Sequence, residues 1–199
     1  MTPRMLDMIR CVGWHVAMQG PVLEVGSYIE ESQGHLNLRQ AFPRGTPYVG
    51  TDVLSGPGVD RIVSVLDAEQ MNAVADSIQP KTILCLYVVE HIWDLDTAFR
   101  VLGGLWQKHP ESWLWVSTHQ NQPFHGTSRY GDYWRVTTTT MHRLLEEVGG
   151  IQGAHVLVHA DTSNPEDVVG VRQPTSLAFP VADIEAAFRT TAAHWEIYC

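Results

Sequence analysis

Residues 82–94 read TILCLYVVEHIWD, and the opening half of that stretch decides the fold. Thr82 to Tyr87 is a nearly continuous apolar run, of strand length and too apolar to leave one face in water. Such a run belongs in the middle of a parallel sheet covered on both faces. Asp94 stands where the next helix begins, with a carboxylate able to take a free backbone N–H. Leu95, Ala98, Phe99, Leu102, Leu105 and Trp106 then recur at helical spacing as far as about His109.

The same unit repeats outward in both directions. Upstream, Val22 to Val25 reads as a short buried strand that opens into Gly26-Ser27. Leu6, Ile9, Val12 and Val16 predict an amphipathic helix leading into it, punctuated by Gly20-Pro21, and a weaker helix is expected over Leu36 to Phe42. Tyr48 to Asp52 predicts a second strand, Arg61 to Leu66 a third that ends before Asp67, and Glu69 to Ile78 a helix. Downstream, Trp113 to Ser117 predicts a fifth strand, followed by a polar, aromatic loop from Thr118 to Val136 and a helix at about Thr138 to Val148. Ala154 to His159 and Val168 to Arg172 read as a closing antiparallel pair. Alternating strands and helices imply an α/β fold with a mostly parallel sheet and helices on both faces. Residues 1–199 read as a single domain with its core at about 21–172. In the tail, 180–199, Ile184, Ala187, Phe188 and Thr191 fit a last packed helix or a homo-oligomer contact.

Composition narrows the function classes. The 199 residues are 44% hydrophobic, enough for one domain to bury a full core. Asp and Glu number 22 against 13 Lys and Arg, a formal net charge of -9, and no basic cluster stands out. That balance opposes a nucleic-acid partner, whose phosphates are held mainly by Lys and Arg. Cys11, Cys85 and Cys199 are far apart and form no pairing motif, so reduced thiols in a cytoplasmic protein are expected. Met1 to Met18 lacks the uninterrupted apolar stretch of a signal peptide, and no run is long enough to span a membrane.

In open α/β sheets, ligands bind beyond the carboxyl ends of the strands. The residues there are Glu24 to Tyr28, Asp52, Asp67 and Tyr87 to His91. Gly26 lets backbone approach a ligand closely. Asp52 is placed to accept hydrogen bonds from two ribose hydroxyls, and Asp67-Ala68 to meet an adenine amino group. An acid at a strand end is commonly just a turn or helix cap. Acids at successive strand ends carry more weight together.

The motifs VLEVGS, YVGTDV, VSVLDAE, LCLYVVEHIWD and GDYWRVT, in this order, resemble the class I S-adenosylmethionine-dependent methyltransferases, and most of all their small type 11-like members. The likeness spans roughly Pro21 to Gly149. It implies a Rossmann-like methyltransferase fold with a mostly parallel seven-stranded sheet, an antiparallel closing strand and S-adenosyl-L-methionine as cofactor. Glu24 would then stand near the methionine amino end, with Gly26, Ser27 and Tyr28 in the loop beneath it. Asp52 would hold the ribose, Val53 would pack on the adenine, and Asp67 and Ala68 would address its edge. Tyr87 and Val88 would lie beside the methionine portion, and Glu90-His91 would open the acceptor site.

One departure stands out: many family members carry a second glycine where this chain has Tyr28, so the usual tight loop is in question. It also argues against a nicotinamide dehydrogenase, whose pyrophosphate needs GxGxxG, and it motivates the alternative of a noncatalytic scaffold or subunit. Methyl transfer from a sulfonium needs alignment more than a catalytic side chain. For a hydroxyl acceptor, His91 or His125 has the chemistry of a base. Tyr130, Asp132, Tyr133, Trp134 and Arg135, in the aromatic loop, are the candidates for contact with a small-molecule acceptor, although Asp-Tyr-Trp-Arg also fits a structural cover. Ten histidines raise the question of a metal. His155 and His159 share one strand face without a third ligand, and His119 and His125 fall on a loop with no clear carboxylate partner, so no metal is expected.

Overall fold

The computed structural model describes residues 5–6, 9–10, 20–30, 37–159, 167–176 and 195–198. Strands β1 (Val22–Val25), β2 (Tyr48–Asp52), β3 (Arg61–Ile62), β4 (Thr82–Leu86), β5 (Trp113–His119), β6 (His155–His159), β7 (Asp167–Arg172) and β8 (Trp195–Tyr198) form one sheet in the order β3-β2-β1-β4-β5-β7-β6-β8. Pairing is parallel from β3 through β5 and antiparallel from β5 onward. The seven expected strands are present, and an eighth from the tail is added at the edge. The expected helix over Ile184 to Thr191, and any contact between copies it would make, lie outside the described residues.

β4 is central, as its composition demands: all five of its residues are buried, and Leu84 stands in register between Glu24 of β1 and Trp115 of β5. Alternation along the strands divides the core. Leu23, Val25, Ile83, Cys85, Leu114 and Val116 face one layer, and Val22, Leu84, Leu86, Trp113 and Trp115 face the other. The first layer is covered by helices α1 (Ala68–Ile78), α2 (Leu95–Lys108) and α3 (Thr138–Arg143). Met5, Leu6, Ile9, Leu38 and Phe42 cover the second; of the expected N-terminal helix, Val12 and Val16 lie outside the described residues. Cys85 is a buried free thiol.

Local chemistry explains where elements begin and end. Asp67 caps α1 by accepting the Gln70 N–H at 3.0 Å, Met71 and Ala75 turn inward, and the helix stops at Gln79, whose φ is 50°. Asp94 caps α2 in the same way through Thr97, and Ala98, Phe99, Leu102, Leu105 and Trp106 form its buried face. α3 continues into one wider turn, Leu144–Val148, that brings Gly149 against α2; a Cβ on Gly103 would lie 1.9 Å from the Gly149 carbonyl oxygen.

Three expectations are corrected. The third strand is only Arg61–Ile62, because Ser64 turns the chain, its hydroxyl taking the Leu66 N–H, while Val63 and Val65 still pack inward. Of the helix expected over Leu36 to Phe42, Leu36 lies outside the described residues and the rest is a single tight turn, Leu38–Ala41, capped by Asn37. β5 runs on to His119, since β7 offers a ladder as far as the His119–Asp167 pair. Among the described residues, no helix is long and apolar enough to cross a membrane.

Candidate active site

The strand order reverses between β1 and β4, and beyond their carboxyl ends the loops enclose a cavity of about 390 Å³, within the range of small-molecule sites. Its wall is built from 24–30, 52–54, 63–66, 86–88 and 90–93, with Leu38, His125, Tyr130 and Tyr133. The structure thus brings together Glu24, Gly26, Ser27, Tyr28, Asp52, Val53, Tyr87, Val88, His91, His125, Tyr130 and Tyr133. It does not place Asp67, Ala68, Asp132, Trp134 or Arg135 on that wall.

At one end, the turn after β1 is shaped by close approach. Gly26 has φ 77°, and a Cβ there would lie 2.0 Å from Val88 Cγ2. Gly26 and Ser27 donate their N–H groups to the Thr51 carbonyl at 2.8 and 3.0 Å, and the buried Ser27 hydroxyl has no hydrogen-bond partner among the described residues. Asp52 is held by two backbone donors, Tyr28 N–H to Oδ2 at 3.1 Å and Leu54 N–H to Oδ1 at 2.9 Å, leaving each oxygen further accepting capacity. Tyr28 lies with its ring along Gly56 and its hydroxyl accepting from the Arg129 guanidinium, and so links this loop to the 125–135 loop.

Glu24 lies beneath this turn. Tyr48 donates its hydroxyl to Oε2 at 2.7 Å. Burial pushes the carboxyl up to about 7 against the pull of the Tyr48 bond and Arg39, with Asp52 and Asp60 repelling its charge. Asp67 accepts from Gln70 through both carboxylate oxygens, N–H to Oδ1 and Nε2 to Oδ2, and caps α1 just past the cavity wall.

At the other end a polar cluster lies under the aromatic loop. Tyr87, at φ 57°, stacks on His119 with ring centroids 4.5 Å apart and donates its hydroxyl to Asp167 Oδ2 at 2.8 Å. Asp167 Oδ1 is 2.9 Å from His119 Nδ1, and His119 Nε2 is 3.7 Å from Glu90 Oε1. His119 therefore does have carboxylate partners, from a strand 48 residues away and from the turn after β4. Glu90 is fully buried, and among the described residues neither of its oxygens has a hydrogen-bond partner of good geometry; burial pushes its carboxyl up to about 7, opposed by His119 and, more weakly, by its own backbone N–H and the Thr118 hydroxyl.

His91 Nδ1 lies 2.6 Å from the Gly131 carbonyl oxygen, to which it donates, and the ring packs edge-on against His125 and Tyr130 at 5.0 and 4.5 Å. Burial holds the His91 ring below the usual imidazole range. His125 Nδ1 is 3.2 Å from both the Pro123 carbonyl and Asp132 Oδ2, so this histidine too has a carboxylate neighbour.

Asp132, Trp134 and Arg135 form the frame of this end. Arg135 grips Asp132 with two parallel bonds at 2.6 and 2.7 Å, holding its carboxyl well below the usual range, and donates to the Gln122 and Pro123 carbonyls. Trp134 donates to the Ile92 carbonyl at 2.8 Å and stacks on Trp93. Within the aromatic loop, His125, Tyr130 and Tyr133 reach the cavity. His119 and Asp167 were not singled out from sequence as site residues, because nothing local marks a pair made by two strands so far apart.

Comparison with solved structures concerns the fold. A protein of Thermobifida fusca YX provisionally named a methyltransferase superposes with a TM-score of 0.56 at 14% identity, over 85% of this chain and 80% of its own. The Burkholderia thailandensis 1,6-didemethyltoxoflavin-N1-methyltransferase, solved with 1,6-didemethyltoxoflavin and S-adenosylhomocysteine, superposes at 0.55 and 14% identity, over 87% of this chain and 79% of its own. The chain has the Rossmann-like methyltransferase fold. No family model matches the chain, and no curated protein matches its sequence. Within the methyltransferase fold, the cavity occupies the crevice where open α/β sheets take their ligands.

Proposed function

We propose that the chain binds S-adenosylmethionine and directs its methyl group to a small-molecule acceptor. The observation that carries this reading is one cavity with two unlike ends: the Gly26 turn, Asp52 and Glu24 at one, and two imidazoles walled by tyrosines at the other. The first end suits the cofactor. The Gly26–Val88 approach leaves no room for a side chain beneath a ligand, Ser27 has an unspent hydroxyl, and Asp52 has oxygens held in place with accepting capacity to spare for a ribose diol. Glu24 would attract the ammonium of a bound amino acid once ionised. Val53, an exposed apolar side chain on the cavity wall, and the Val63–Leu66 turn would wall the adenine.

When bound, the cofactor supplies an electrophilic methyl group on a sulfonium. The protein then has to orient the acceptor and exclude water. Tyr130 and Tyr133 shape the acceptor end, and His91 and His125, with their Nδ1 atoms engaged, have Nε2 lone pairs available to a hydroxyl acceptor. The compactness of the chain and its net charge of -9 favour a small metabolite over a polyanion.

Calorimetric titration with S-adenosylmethionine, S-adenosylhomocysteine and NAD tests the reading. Saturable binding of the first two but not NAD is expected; failure of both sulfur compounds would overturn it in favour of a noncatalytic scaffold.

A further inference from the structure

Glu90, His91 and His125 each offer a ligand atom within 4.8 Å of the other two. Their separation in sequence disguises this: Glu90 and His91 lie on the turn after β4, whereas His125 is brought over them by the loop after β5. From these three residues we infer a binding site for a divalent first-row transition cation at the acceptor end of the cavity.

Three independent features support it. First, Glu90 is fully buried, and among the described residues neither carboxylate oxygen has a hydrogen-bond partner of good geometry, only the Thr118 hydroxyl, its own backbone N–H and the His119 ring nearby, an under-satisfied arrangement that a cation would relieve. Second, the Nδ1 of His91 donates to the Gly131 carbonyl and that of His125 lies against the Pro123 carbonyl and Asp132. Metal-ligating histidines are typically fixed through their other nitrogen in this way, which presents the Nε2 lone pair. Third, the supporting groups are themselves locked: Asp132 by the two bonds from Arg135, and the Glu90 backbone by the Tyr133 N–H donated to its carbonyl at 2.8 Å.

Two imidazoles and one carboxylate form a ligand set used by zinc and by other first-row ions, with positions left open for an exogenous ligand. Bonds of about 2.0–2.2 Å place neighbouring ligand atoms about 3–4 Å apart, so the cluster needs only a modest contraction around the ion. His119, its Nδ1 tied to Asp167 and its Nε2 3.7 Å from Glu90 Oε1, would orient the carboxylate from behind. All three ligand residues line the cavity; with the Nε2 lone pairs of His91 and His125 taken up by the ion, an open position on the ion, in place of those imidazoles, would receive an oxygen of the molecule bound there. That last step rests on the methyl-transfer reading and makes a hydroxyl or carboxylate oxygen the feature by which the acceptor is chosen. The cation site itself does not depend on it.

The test uses full-length protein stripped with a chelator and titrated with cobalt(II) chloride and zinc sulfate. One equivalent should bind with micromolar or tighter affinity, and cobalt should give visible absorption bands. His91→Gln, His125→Gln and Glu90→Gln should each weaken binding at least tenfold, whereas His142→Gln, on the exposed side of α3, should leave it unchanged, with circular dichroism reporting the fold. X-ray absorption on the zinc-loaded native chain needs no variant to fold and should show imidazole scattering from two histidines. Absence of saturable binding, undiminished affinity in the histidine variants, or a zinc spectrum without imidazole would each overturn the site. Titrating the stripped protein with S-adenosylmethionine keeps the two readings apart. Cofactor binding without cation binding sinks only the cation site, and cation binding without cofactor binding sinks only the methyl-transfer reading.

Discussion

Gly26 and Asp52 perform different tasks a few ångströms apart, and their substitutions should fail differently. At Gly26, a Cβ 2.0 Å from Val88 at φ 77° forces the turn itself to move. Gly26→Ala should therefore lower the thermal midpoint and abolish measurable S-adenosylmethionine binding together, since strain of this kind costs about 1–3 kcal/mol before the clash is counted. Asp52 sits at the cavity edge with little core role. Asp52→Ala should weaken cofactor binding by about tenfold to a hundredfold in calorimetry, about 1.4–2.8 kcal/mol, while leaving the circular dichroism spectrum intact; unchanged affinity would remove the ribose assignment. Glu24 adds a pH dependence. With its carboxyl pushed up to about 7, it is neutral below that pH and cannot attract an ammonium. Cofactor affinity should rise as pH increases through about 7, with protons released on binding below it, and buffers of different ionisation enthalpy should reveal that release.

At the scale of the element, strand ends and helix starts compete for the same acids. Asp67 was read from sequence as an adenine contact; it stands off the cavity wall, and both its oxygens accept from Gln70 at the start of α1. Asp67→Ala should lower the thermal midpoint and change the S-adenosylmethionine dissociation constant by less than about twofold, a much smaller effect on binding than at Asp52. A large loss of affinity at constant stability would restore the adenine role. The aromatic loop divides in the same manner: Asp132, Trp134 and Arg135 turn back to hold the loop, and Tyr130 and Tyr133 are left for the ligand. The motif was legible as a chemical cluster, but which members face inward depends on carbonyls at Ile92, Gln122 and Pro123 that no local pattern identifies.

Across the whole molecule, burying Glu24 links stability to pH. Its carboxyl is raised from 4.5 to about 7, so between those values the folded chain holds a proton that the unfolded chain has released. Stability without ligand should fall as pH rises through this window, by an amount of order 3 kcal/mol at about 1.4 kcal/mol per pH unit. Denaturant titrations at pH 5 and pH 8 should show that fall in the native chain and a smaller one in Glu24→Gln.

Fold class followed from residues adjacent in the chain. The buried run of β4, the caps at Asp67 and Asp94 and the alternation of strand and helix are local consequences of hydrophobic periodicity and backbone hydrogen bonding, and they required little else. That Glu24, Gly26 and Asp52 share one end of the cavity was legible for the same reason, since parallel strands carry their ends to one edge by topology alone. The acceptor end was not. His119 meets Asp167 because two antiparallel strands share a register, and His125 meets Glu90 because a loop folds back over another strand's end. Contacts of that kind are set by long-range packing, and only the tertiary structure decided them.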